Sequence, residues 1–136
     1  MSTFSKIWIH AIWTTKNCEP VLSKNIRRDL FRHIKEELGK QDIYIDTING
    51  IEDHVHCLIQ LKPVQSLSFV MKQIKGESAY WANDKLLIEE GLKWQKGYGA
   101  FSVSDYNIPK VRNYILNQEK HHQKFSFRAE MEKFSL

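Results

Sequence analysis

An α+β fold is predicted by the order in which apolar patterns follow one another along the chain, β-α-β-β-α-β-α. The first six elements form the split βαβ, ferredoxin-like pattern, which gives an antiparallel sheet with helices on one face. A further helical stripe comes after the last strand and stands outside that pattern as an added C-terminal helix. Nothing resembling a linker, a repeat or a low-complexity stretch divides the chain, so residues 1–136 read as a single domain.

Each element has its own signal. Residues 6–14 (KIWIHAIWT) are rich in β-formers and set Ile7, Ile9, Ala11 and Trp13 on one face. Pro20 and Ser23 announce a helix with the stripe Ile26, Leu30, Ile34 and Leu38, and Gly39 fits just past its end. Residues 42–50 (DIYIDTING) read as a strand that closes on Asn49-Gly50, a turn signal. Residues 53–61 (DHVHCLIQL) read as its hairpin partner. After Pro63 a helix starts near Ser66, with Leu67, Val70, Ile74 and Trp81 inward, and a second helical segment near 82–91 is weakly signalled. Residues 94–104 contain the fourth strand. From Tyr106 a long helix runs to about His122 on the stripe Ile108, Val111 and Ile115, and the tail 123–136 is weakly helical.

Composition narrows the class. A hydrophobic content of 42% with 12% aromatic residues suits a packed core and argues against disorder. The net charge of +4 and pI near 9.0 are compatible with nucleic acid without requiring it. Cys18 and Cys57 form no CxxC pair, which excludes a disulfide scaffold and a thiolate zinc site. The apolar run from Ile7 to Trp13 is interrupted by His10 and too short for a membrane, and no signal peptide precedes it. A cytoplasmic protein without a membrane partner is expected.

Two short motifs carry chemistry. In the strand 53–61, Val55, Cys57, Ile59 and Leu61 form the core face, so His54 and His56 point together to the other one. Two neutral imidazoles bind a divalent metal but need further ligands; alone, the motif reads more readily as two surface histidines. On the last helix Tyr114, Gln118 and His121 form one stripe, extended by Lys110, beside the apolar one. Alone, Tyr114 reads as an ordinary half-buried tyrosine. Together, and with the helix packed beside the strand, the motifs would set a metal next to a tyrosine nucleophile. A phenol has an ordinary pKa of about 10 and attacks poorly at neutral pH, so a metal that neutralises a phosphate would assist it.

The chain resembles the single-tyrosine HUH transposases, the small insertion-sequence enzymes that move DNA as single strands, and the related REP-associated tyrosine transposases. The matching residues are Trp13-Thr14-Thr15-Lys16, Pro20-Val21-Leu22, Asp53-His54-Val55-His56, Lys75-Gly76 with Ser78 and Trp81, the run from Trp94 to Ser104, and Tyr114-Ile115-Leu116-Asn117-Gln118 followed by His121-His122. The resemblance implies that His54, His56 and Gln118 bind Mg2+ or Mn2+ and that Tyr114 forms a 5′-phosphotyrosine link. It implies a substrate of single-stranded DNA with hairpin ends, and a homodimer in which the tyrosine helix of one subunit completes the metal site of the other. The chain departs from the pattern at Asn17-Cys18-Glu19, where an aromatic and a basic residue are common.

Other residues are weaker candidates. Lys16, Lys72, Lys75, Lys110 and Arg112 can meet phosphates, or simply form a solvated surface. Trp94, Tyr98 and Phe101 can stack on bases or pack in the core. His121-His122 can assist proton transfer or touch DNA. His10, on the face away from Ile7 and Ile9, reads first as a packed histidine and second as a residue lining the site. Two rival functions remain. A non-catalytic, sheet-based nucleic-acid-binding protein, a domesticated relative, has no need of His54, His56, Tyr114 and Gln118 together. A metal-dependent hydrolase that uses water leaves Tyr114 without a purpose.

Overall fold

The computed structural model describes residues 2–122 and 132. The tail from 123 onward, read from sequence as weakly helical, otherwise lies outside the described residues. Four strands, β1 (Ile7–Thr14), β2 (Tyr44–Ile51), β3 (His54–Leu61) and β4 (Gly99–Val103), form one sheet in the order β2-β3-β1-β4. Every neighbouring pair is antiparallel. This is the expected α+β, ferredoxin-like arrangement. Helices α1 (Lys24–Lys40) and α2 (Leu67–Asp84) cover one face, with Leu30, Ile34, Leu38, Val70, Met71 and Ile74 packed on Ala11, Trp13, Val55, Cys57 and Ile59.

The added C-terminal element is two helices. A 3-10 turn at Asp105–Asn107 leads into α3 (Ile108–Leu116), and a break at Asn117 separates it from α4 (Gln118–His122). The sequence read one long helix here. Pro109 in the first turn of α3 suits a position whose N–H has no helical partner. Ile108 and Ile115 pack on Leu58, with Trp8, Val103 and Val111 around them. The sheet is therefore buried on both faces, and α3 covers the face that carries the histidines.

Other boundaries also differ from the sequence reading. The β2–β3 turn is Glu52-Asp53, because Asn49 and Gly50 pair with His56 and Val55 inside the ladder. Gly50 is needed there for closeness of approach: a Cβ would stand 2.2 Å from the His54 carbonyl oxygen. The helix α1 runs one residue beyond Gly39, and Asp42 takes the left-handed conformation (φ 67°) after it. Ser66 caps α2 by accepting from the Phe69 N–H at 3.2 Å. No separate helix forms near 82–91: α2 itself runs to Asp84, and the Asn83 side chain bonds both the N–H and the carbonyl of Leu92 to hold the loop that follows.

A register shift between Ile45 and Thr47 makes Asp46 an extra residue in β2. After it Ile48 faces the α1–α2 core, while Asn49 lies opposite His56. The bulge thus decides which β2 side chains border the histidines.

Candidate active site

Strand alternation turns His54 and His56 to the α3 face, as expected from the sequence. Both are fully buried, so they are not surface residues. Their ring centroids are 5.2 Å apart. His54 Nδ1 bonds the Asp53 carboxylate at 2.7 Å, and His56 Nδ1 lies 2.9 Å from His10 Nε2. Each ring therefore engages a partner through Nδ1, which makes Nε2 the nitrogen it would present to a cation.

Helix α3 carries Tyr114 to this place. Its ring is 6.0 Å from that of His56 and 6.3 Å from that of His10. Gln118, at the start of α4, is fully buried and donates its amide nitrogen to the Tyr114 carbonyl at 3.3 Å. The amide oxygen is then the end a cation would take. Two buried imidazoles oriented through Nδ1, with a buried amide nearby in sequence to the tyrosine, suit a divalent ion that completes its shell with water and phosphate oxygens. Among the described residues no group of three His, Cys, Asp or Glu is arranged to hold a metal.

Three side-chain contacts seat the C-terminal helices. The Asn49 amide donates to the carbonyls of Ile115 and Leu116 at 3.0 and 3.2 Å. Arg112 forms two bonds to Asp46 at 2.8 and 2.9 Å. Arg27 joins the Leu22 carbonyl at 2.8 Å to Glu119 of α4 at 3.1 Å. The paired hydrogen bonds from Arg112 are the main reason that the Asp46 carboxyl titrates below its ordinary range.

A cleft of about 290 Å³ opens beside Tyr114 between β4 and α3, lined in part by His10, Phe101, Ser104, Lys110 and Val111. Of the basic candidates, exposed Lys110 borders the cleft beside Tyr114, and exposed Lys16 follows the end of β1 that pairs with His54. Lys75 is turned inward: its ammonium donates to the carbonyls of Gln95 and Gly97 at 2.8 and 2.7 Å, and burial lowers its pKa. Arg112 is engaged by Asp46. Exposed Lys72 is on α2, on the opposite side of the sheet. Trp94 packs on Trp13 and donates to the Ser78 hydroxyl, whereas Tyr98 is exposed. The side chains of His121 and His122 lie outside the described residues. At Asn17-Cys18 the backbone takes two successive left-handed conformations, φ 57° and 54°.

His10 is the residue whose place in the site the sequence left open. It is packed, as expected, but packed against His56 and Tyr114. The usable signal was its face: in β1 it alternates with Ile9 and Ala11, so it shares the side of the sheet to which His54 and His56 turn.

Comparison with known proteins shows the family of the chain. The relative ISDra2 transposase TnpA of Deinococcus radiodurans is 26% identical over 114 residues, covering 80% of this chain and 81% of that protein. A crystal structure of a candidate transposase from Deinococcus radiodurans R1 superposes with a TM-score of 0.67 at 24% identity, over 87% of this chain and 95% of that one. A REP-associated tyrosine transposase bound to a REP hairpin gives 0.63 at 15% identity, over 90% of this chain and 74% of that one. These two likenesses carry the fold. The model of the IS200-like transposases matches residues 3–118, from before β1 to Gln118, and on that match the chain belongs to the IS200-like transposase family.

Proposed function

We propose that this transposase cuts and rejoins single-stranded DNA at insertion-sequence ends, with Tyr114 as nucleophile and His54, His56 and Gln118 as the ligands of Mg2+ or Mn2+. The observation that carries the reading is the 6.0 Å between the Tyr114 and His56 rings on a buried sheet face. A non-catalytic binder has no reason to bury that combination.

A bound divalent ion would neutralise charge on the scissile phosphate. The chain does the rest. Asp53 and His10 orient the two imidazoles, and Asn49 and Arg112 hold α3 so that Tyr114 reaches the same point. The phenol oxygen attacks phosphorus, the bond to the deoxyribose O3′ breaks, and the phosphate stays on Tyr114 as a 5′ ester. The phenol gives up its proton and the departing O3′ takes one up. Attack by a second 3′-hydroxyl reverses these changes, so rejoining needs no ATP.

A substrate with hairpin ends is supported by the REP hairpin in the similar structure. The reading treats the chain as one domain and includes a homodimer. In the structure Tyr114 is seated beside the histidines of its own chain. Exchange of α3 and α4 between two copies, about the turn at Asp105–Asn107, would build the same contacts in trans.

The test is Tyr114→Phe, which removes only the nucleophilic oxygen. It should abolish the covalent protein–DNA adduct on a denaturing gel and leave DNA binding within a few-fold of the parent. An adduct formed by the Phe variant would exclude Tyr114 as nucleophile.

A further inference from the structure

We propose that His10 is a positioning residue of the metal site: it holds His56 in the tautomer that turns a bare Nε2 to the cation. This rests on the reading of His54, His56 and Gln118 as ligands.

His10 faces Leu58 across the β1–β3 ladder, and Ile12 faces His56, so the two histidines are diagonal neighbours on one face. His10 Nε2 and His56 Nδ1 are 2.9 Å apart, and the two side chains are 1% and 0% exposed. A hydrogen bond between two neutral imidazoles needs one N–H and one bare nitrogen. A ring nitrogen that takes a cation cannot also carry a proton. His56 that binds through Nε2 must therefore carry its proton on Nδ1 and donate it to His10. His10 must accept at Nε2 and hold its own proton on Nδ1. In the reverse arrangement His10 donates, the His56 proton moves to Nε2, and that nitrogen is closed to a metal.

The two ligands differ in this respect. Asp53, as a carboxylate, can only accept, so it fixes His54 with Nδ1 protonated. His10 can either donate or accept. The choice of tautomer at His56 thus passes to His10, and burial keeps bulk water from taking over the bond.

The test uses His10→Leu, which cannot accept, and His10→Gln, whose amide oxygen can. Two readouts are needed. Long-range 1H–15N spectra of the metal-free protein report the tautomer of each ring, and calorimetric titration reports Mn2+ affinity. The wild-type His56 should be the Nδ1–H form. His10→Leu should mix in the Nε2–H form and weaken Mn2+ binding by roughly 10- to 100-fold, and His10→Gln should recover most of that loss. His56→Ala is the control. If it binds Mn2+ as the parent does, the ligand reading itself fails. If it abolishes binding while both His10 variants keep the parental affinity and tautomer, only the role of His10 is overturned. Should His10→Leu fail to fold, a wild-type His56 found as Nε2–H overturns it as well.

Discussion

The side-chain amide of Asn49 donates to the carbonyl of Ile115 at 3.0 Å and ties the end of β2 to the residue after Tyr114. A second bond, to Leu116, is 3.2 Å long. Both use carbonyls at the C-terminal end of α3, which have no helical donor of their own once the helix breaks at Asn117. Asn49 opposes His56 in the ladder, so it links the tyrosine helix directly to the strand position facing an imidazole.

Asn49→Ala should therefore cost about 1–2 kcal/mol of stability and slow adduct formation by roughly tenfold, because a small displacement of a reacting group is costly. Mn2+ affinity should fall less than the rate. Single-turnover gels and a thermal melt measure both effects, and an unchanged rate would remove Asn49 from the positioning of Tyr114.

Arg112 and Asp46 give a pH-dependent anchor. Chiefly through its hydrogen bonds, Arg112 holds the Asp46 carboxyl below its ordinary value; the Thr47 hydroxyl and Lys35 act the same way and burial opposes them. A depressed folded pKa adds stability above the unfolded value, about 3.9, and that stability is lost as pH falls through the lower folded value. Arg112→Ala should melt below the parent at neutral pH, with the difference shrinking under about pH 4. An equal difference at pH 7 and about pH 2 would show that the ion pair contributes nothing.

Lys110 is exposed at the mouth of the cleft that holds Tyr114. If its ammonium meets a phosphate of the bound strand, Lys110→Ala should lower affinity for hairpin-bearing single-stranded DNA. The slope of log affinity against log salt should decrease by about 0.7. Identical slopes in parent and variant would place Lys110 off the DNA path.

Exchange of the C-terminal helices can be read from mixed dimers. Ile108, Ile115 and Arg112 would make the same contacts on a neighbouring sheet, so exchange costs little beyond the hinge. Mixing His56→Ala with Tyr114→Phe should restore part of the cleavage, and the DNA should be attached to the His56→Ala subunit, whose intact tyrosine works at its partner's histidines. A mixture that stays inactive while subunits exchange would confine each site to one chain, in the arrangement described above.

Much of this molecule was legible in its sequence. Alternation over 6–14 and 53–61 set the strands and the face of His54 and His56, because a strand has only two sides. Helical spacing placed Tyr114 near Gln118 although α3 ends between them, since a break of one residue at Asn117 leaves both on the side turned to the sheet. Local chemistry misled where a residue had a tertiary purpose. Asn49-Gly50 has the composition of a turn but serves as a helix anchor and a close backbone approach, and the true turn, Glu52-Asp53, carries no glycine. The bulge at Asp46 and its bond to Arg112 join residues far apart in sequence, and no period reveals them. The partners of His10 were settled only once β1 lay beside β3 in this register. Sequence determines which side of a strand a histidine occupies; pairing of the strands decides what it meets there, because hydrogen-bond partners across a ladder are chosen by the fold as a whole.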